Sequence, residues 1–388
     1  MIPAALLLPV AVVAVLVLIQ RFRVPAFLAL MATVVGYGLL ANMTFQSIGK
    51  AFGLGFVAAL EQAGLLVVAG ALVGRLLIKQ PLPAPAAAVA GALAGLGGSA
   101  AGGLALLQPA SRAVGLALTL LAVHALVAPS PLAVASASVL KASVATMAWI
   151  AVPVAVAAAA AGWWLFARED HQPGALSLGW LAIALPIALL IVQSVAQMPT
   201  EPLGKGGARE FWTGISRPLM LAVLAIALAL LLSRRWQAEA LADTGWAPLL
   251  LAVGAAGGFA RVLDETGMAE LLAEQVLDPR LGLLAPFLAA ATVKTMQGHS
   301  LSAVLTASGM VEPMLPALGL DSATGRALAA AAVGAGSIAI CHLNDPLFWI
   351  AAHMAGVTPA RALRLIGLGS LAVALTALVL LSALRLVF

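Results

Sequence analysis

The chain has 388 residues, 63% of them hydrophobic and 9% charged, with a formal net charge of +5. A soluble domain carries roughly a quarter of its residues as charges, so this composition excludes a soluble globular fold. The Lys and Arg stand singly or in pairs between apolar runs, which excludes a nucleic-acid surface, and the single cysteine, Cys341, excludes an internal disulfide or a cysteine-based metal cluster.

Apolar runs of about 20 residues, long enough to cross a ~30 Å hydrocarbon core, recur along the whole sequence. The alternating segments of about 10 residues that mark a β-barrel are missing. The pattern predicts an all-α polytopic membrane protein with roughly 10–12 spans. The first run, 3–20, lacks a basic leader, and Arg21 and Arg23 follow it. It reads as a retained span with the N-terminus outside and the Arg pair inside. The next run, 24–41, returns to an outer polar loop, NMTFQS, and a third ends inward at Arg75 and Lys79. Later runs cover 82–107, 111–128, 131–150, 148–166, 176–198, 217–232, 246–262, 281–296, 298–318, 325–343 and 361–387, several of them broken by Gly and Pro. Aqueous linkers are expected at 167–174 and 200–217, and a cytoplasmic loop at 233–243. The chain thus divides into a membrane half 1–198, a polar linker 199–217 and a second membrane half 218–388.

The two halves share a weak internal repeat. GALVGRLL (70–77), GGSAAGG (97–103) and HALVAPSP (124–131) are followed in the same order by AGGFARVL (256–263), GHSLSAVLTAS (298–308) and HLNDPLF (342–348). Paired repeats with interrupted helices that meet near the midplane are what secondary transporters show.

Polar residues inside a bilayer are costly, on the order of 2.5–3.5 kcal/mol for an Asp at a helix centre on insertion scales. Their clusters therefore mark candidate sites. In GSIAICHLNDPLFWI (336–350), Gly336 and Ser337 precede His342, Asn344 and Asp345, and Pro346 follows. Gly and Pro predict an unwound stretch, which only a lined cavity satisfies. Asn344 or Asp345 would cap a half-helix starting at Pro346, whose positive end attracts an anion. In KTMQGHSLSAVLTASG (294–309), Lys294, Gln297, His299, Ser300 and Ser302 crowd Gly298. There Lys294 reads as a side chain snorkelling to an interface. The first-half counterparts, Gly98, Ser99, His124 and Ser130, are plainer. Glu61 and Lys141 lie in apolar surroundings as further coupling candidates.

These segments resemble the gluconate permease family of the ion transporter superfamily. GAGSIAICHLNDPLFWI is similar to its GAGS-x(3)-SHVNDSGFW signature, GGFARVLDETG (257–267) to its GGAFGxVLxxSG segment, and 287–315 to its GSATVA-containing segment. The segments 64–77 and 124–131 resemble degraded versions of others. Departures are Cys341 for Ser, Pro346-Leu347 for Ser-Gly, Ser130 for His, and GGSAAGG where an Asp is usual. The resemblance implies two inverted repeats, each with a re-entrant hairpin and a broken helix. It implies a secondary carrier in a bacterial inner membrane that takes up a small organic anion with protons, without a cofactor or metal, and with a homodimer possible.

On that reading Asp345 and His342 carry the proton. Gly98, Ser99, Ser130, Gly298, His299, Ser300, Ser337 and Asn344 hold the substrate. A rival reading is an intramembrane serine protease, because Ser300 with His353 in AHMAG (352–356) forms a nucleophile–base pair on paper.

Overall fold

A computed structural model describes residues 4–78, 80–111, 113–167, 174–233 and 246–387, and every regular element among them is helical. Lys79, most of the linker expected at 167–174 and all but Ser233 of the loop expected at 233–243 lie outside the described residues. Helices α1 (Ala4–Gln20) and α2 (Ala26–Leu40) pack as a pair hinged at Pro25. Thr44 then caps α3 (Phe45–Ala59), its Oγ1 accepting the Ser47 N–H at 3.2 Å. That helix runs through a π turn, Leu60–Gly64, into α4 (Leu65–Leu77).

A helical hairpin follows, α5 (Ala84–Gly95) and α6 (Ala100–Leu106), turned at Gly97-Gly98-Ser99. Next comes a broken helix, α7 (Ala113–Leu126) and α8 (Pro131–Val139), then the long α9 (Val144–Phe166). The connection to the second half is α10 (Leu181–Ala196), α11 (Gly207–Ile215) and α12 (Pro218–Ser233). The expected aqueous linker 200–217 therefore holds a helix. Its Phe211 is exposed and set edge-on to Trp212, the amphipathic make-up of a helix lying at a membrane surface.

The second half repeats the order. Helix α13 (Trp246–Asp264) and the short α14 (Met268–Gln275) lead to a hairpin, α15 (Leu284–Gln297) and α16 (Ser300–Val311). A broken helix comes next, α17 (Ala323–Gly336) and α18 (Pro346–Met354). Then α19 (Pro359–Ala362) passes through a π turn, Leu363–Gly367, into α20 (Leu368–Arg385).

Among the described residues six helices are long and apolar enough to cross a membrane, or up to seven if the pair α11–α12, bent by 55°, is one span. The sequence suggested roughly 10–12 on run length alone. Shorter apolar helices, Leu7–Gln20, Ala26–Leu40 and Ala84–Gly95, add to the six helices, and the first broken helix, Ala113–Val139, counts as one of the six.

Packing respects an exchange of the halves. Within each half the first hairpin arm packs on the first segment of the broken helix, α5 on α7 and α15 on α17. Across the halves the second hairpin arm meets the other half's second segment, so α6 packs on α18 and α16 on α8. Small residues allow the close crossings. A Cβ on Gly55 of α3 would overlap the Gly257 carbonyl of α13, and one on Gly257 would overlap Gly55. Small-residue interfaces of this kind are how helices associate in lipid, where no hydrophobic force drives them together.

Candidate functional site

Interrupting a helix inside a membrane leaves its last carbonyls and first N–H groups without partners. The polar residues of the two breaks answer this need first. At the C-terminal end of α15, His342 Nε2 donates to the Thr295 carbonyl at 2.8 Å. Asn344 Nδ2 donates to the Thr295 and Met296 carbonyls at 3.2 and 3.1 Å. At the end of α5, His124 Nδ1 donates to the Gly95 carbonyl at 2.8 Å. Each break therefore ties itself to the hairpin beside it.

The N-terminal ends are capped in parallel fashion. Ser99 Oγ accepts the Gly102 N–H at 3.1 Å on α6, and Ser130 Oγ accepts the Leu132 N–H at 3.3 Å on α8. His299 Nδ1 accepts the Ser302 N–H at 3.5 Å on α16, and Asp345 Oδ1 accepts the Leu347 N–H at 2.8 Å on α18. Both broken-helix segments then begin with Pro, Pro131 and Pro346, the residue whose missing N–H costs nothing at that position.

All four of these ends line one cavity of about 100 Å³. Gly98, Ser99 and Ala100 come from the first hairpin, Gly298, His299 and Ser300 from the second, and Pro131 and Pro346 from the two breaks. Gln62 from the π turn, His124, Lys294 and Asp345 complete the wall. A second cavity of about 190 Å³ adjoins it, sharing Gln62, Gly298, His299 and Pro346, and reaches Arg261 and Asp264 on α13. Arg261 is half exposed and holds Asp264 and Glu265, each at 2.6 Å. The site is thus a small polar chamber in an apolar protein, reached along α13 and faced by helix N-termini.

Its charge is concentrated in one ion pair. Lys294 Nζ lies 2.5 Å from Asp345 Oδ2 and also donates to the Gly298 carbonyl at 2.8 Å. The Lys294 side chain is 1% exposed and that of Asp345 10%. The snorkelling expected of Lys294 does not occur; a buried ammonium needs a partner, and the partner lies 51 residues away in sequence. Removing one member of such a pair costs about 3–5 kcal/mol.

The residues singled out in sequence separate into two groups. Gly98, Ser99, Gly298, His299, Ser300 and Asp345 line the cavity. Ser130, Ser337, His342 and Asn344 do not. Ser130 caps α8 and donates to the His124 carbonyl, and Ser337 Oγ donates to Gly334 O within its own helix at 2.7 Å. Lys141 sits at the surface, 2.7 Å from Glu312, and Glu61 is exposed on the π turn. Gln62, which lines both cavities, was not anticipated; an amide two residues from Gly64 in an apolar run was its only signal.

His353 lines a separate cavity with Arg75 and Gln108, apart from the one that holds Ser300. The nucleophile–base pair of the protease reading is therefore not assembled. The profile of the GntP family permeases matches residues 4–89 and 167–387, most of the chain.

The chain belongs to the GntP permease family. It is 25% identical over 403 residues to a gluconate permease of Pseudomonas aeruginosa, covering 88% of each protein. It is 36% identical over 117 residues to a low-affinity gluconate transporter of Escherichia coli, covering 30% of this chain and 26% of that one. A D-serine transporter of E. coli is 24% identical over 277 residues, 63% of this chain and 61% of the relative. The protein is accordingly a multi-pass membrane transporter and not an enzyme. The family model leaves out 90–166, the stretch holding the first hairpin turn and the first broken helix.

Proposed function

We propose that this permease is a proton-coupled symporter that brings a small organic anion, a sugar acid such as gluconate or a related hydroxy acid, across a bacterial inner membrane into the cell. The observation that carries the reading is the convergence of the N-termini of α8, α16 and α18, with the first turn of the short α6, on a chamber that also holds Lys294. Helix N-termini present positive partial charge and unpaired N–H groups, which suit a carboxylate. Ser99, His299 and Ser300 supply polar contacts for hydroxyls, and Gln62 adds an amide from the π turn. Asp345 is the proton carrier in this scheme: it is buried, lines the chamber and can lose its charge by taking one proton. His342 holds the end of α15 and acts through position.

The exchange-symmetric packing supports the reading of the chain as two inverted repeats. The Arg21 and Arg23 pair after the first span supports an N-terminus outside, and with it the Arg261 cavity as the outer entrance. The relatives' names support both a sugar acid and an amino acid as candidates, since both present a carboxylate. Uptake of radiolabelled D-gluconate, with D-serine as competitor, into proteoliposomes tests the proposal. An inward proton gradient should drive accumulation severalfold above equilibrium, and a sodium gradient should add nothing. Uptake that needs sodium and ignores the pH gradient would sink the proton reading.

A further inference from the structure

Asp345 holds three donors at once. Oδ1 takes the Leu347 N–H at 2.8 Å, while Oδ2 takes Lys294 Nζ at 2.5 Å and the Cys341 thiol at 3.4 Å. Lys294 in turn spends two of its three N–H groups, on Asp345 and on the Gly298 carbonyl. Both residues line the chamber that the symport reading assigns to the substrate. A carboxylate entering that chamber finds the ammonium already neutralised. Two ionised carboxylates around one buried ammonium repel each other, and one of them takes a proton.

We propose that Lys294 exchanges partners during transport, holding Asp345 in the empty site and the substrate carboxylate in the loaded one, and that the exchange requires a proton on Asp345. The inference rests on the symport reading above and deepens it, because it makes the proton a condition of binding. The step balances. A proton from the aqueous phase adds to Asp345 Oδ2, the Lys294 ammonium keeps all three of its protons, and the substrate enters as an anion. The site holds one positive and one negative charge before and after, so symport of a monocarboxylate is electroneutral at one proton per anion. Protonated Asp345 keeps its cap to Leu347 through Oδ1, and its new O–H faces Cys341 Sγ, which turns from donor to acceptor.

The other titratable groups facing the pair are His299 on the hairpin tip, His124 on α7, and Cys341 and His342 on the break itself. Each of the three imidazoles spends one ring nitrogen on the backbone: His124 and His342 donate to carbonyls, and His299 Nδ1 accepts the α16 cap, while His342 Nδ1 is buried without a hydrogen-bond partner. Asp345 is the group among them whose protonation releases a cation into the chamber.

Calorimetric titration of the purified full-length protein with D-gluconate tests this, run at several pH values and in buffers of differing ionisation enthalpy, which counts protons. The wild type should take up one proton per gluconate, its affinity falling tenfold per pH unit where Asp345 is ionised. Asp345→Asn should bind with no proton uptake and no pH dependence, and Lys294→Gln should lose about 10- to 100-fold in affinity. Wild-type binding without proton uptake, or an unchanged proton count in Asp345→Asn, overturns the exchange. A second measurement needs no ligand: Lys294→Gln and Asp345→Asn should each lower Tm, and the double variant no further than the worse single. Additive losses would overturn the pair while leaving the substrate reading standing. If D-gluconate, D-glycerate and acetate all fail to bind at every pH, the substrate reading falls and the exchange falls with it.

Discussion

The two hairpins have the same build and different chemistry. Each ends in a glycine-containing turn, caps its second arm with a polar side chain and has its first arm tied to a histidine of the neighbouring break. Yet Lys294, Gln297 and His299 belong to the second hairpin, while the first turn offers glycines and Ser99. Their surroundings differ as well. The second arm of the first hairpin, α6, packs closely on α4: a Cβ on Gly70 would overlap the Ala105 carbonyl, and Gln108 Nε2 reaches Val67 O at 2.9 Å. The corresponding arm of the second hairpin, α16, stands off from α13, and the 190 Å³ cavity fills the gap. One hairpin supplies geometry and helix dipoles; the other supplies charge and borders the larger cavity. The stretch that the family model leaves out, 90–166, includes the turn and second arm of the first hairpin.

Exchanging the two turn glycines should show the largest contrast. Gly298 has a φ of 70°, and a Cβ on it would collide with the Asn344 carbonyl. A non-glycine residue in that backbone region costs roughly 1–2 kcal/mol before any collision. Gly98 meets only the end of the Gln193 side chain, Oε1 at 2.9 Å, which can swing aside. Gly298→Ala should therefore abolish uptake and lower Tm by several degrees, whereas Gly98→Ala should shift Tm by about 2 °C or less. Equal losses in the two variants would show the turns to be equally constrained.

The histidines should rank the other way round. His124 Nδ1 satisfies the Gly95 carbonyl, for which the structure offers no side-chain substitute among the described residues. Thr295 O, the partner of His342, also receives Asn344 Nδ2 at 3.2 Å. An unpaired buried carbonyl costs about 1–3 kcal/mol. His124→Ala should thus destabilise the protein more than His342→Ala, by about 1 kcal/mol in thermal or denaturant unfolding. The plainer half then suffers the greater structural loss. His342→Ala should also keep the pH dependence of uptake, because its ring is outside the chamber. Loss of that dependence would return His342 to the proton path.

Much of this arrangement was legible in the sequence. Gly336, Gly298, Pro131 and Pro346 announced the interruptions, and the order of motifs announced the parallel halves. What the sequence could not rank was the use of each polar side chain. In a bilayer an interrupted helix consumes hydrogen-bonding groups before any ligand does, so Ser130, Ser337, His342 and Asn344 read as ligands although they serve carbonyls and caps. Lys294 failed for a different reason. A cation near the end of an apolar run looks the same whether it reaches for water or for an Asp 51 residues on, and only the meeting of hairpin and break decides. Gln62 was hidden because a π turn, which brings it to the chamber, leaves no clear mark on apolar spacing.

The smallest effect expected from the comparison concerns two serines. Ser99 and Ser337 are similar on paper, hydroxyls beside glycines at interrupted helices. Ser99 lines the chamber and caps α6, so Ser99→Ala removes a cap worth about 1 kcal/mol and the hydroxyl that the proposed function offers to substrate. Ser337 is fully buried, and its hydroxyl donates to Gly334 O. That carbonyl already receives the Ser337 N–H at 3.1 Å, so removing the hydroxyl orphans no backbone group. Ser337→Ala should therefore cost less than about 1 kcal/mol, and the KM for D-gluconate uptake should stay within twofold of wild type. Ser99→Ala should raise KM severalfold and lower stability by about 1 kcal/mol. If Ser337→Ala is the variant whose KM rises while its Tm holds, then the hydroxyl reaches substrate in a second conformation of the carrier, and the break would belong to the binding surface on both of its sides.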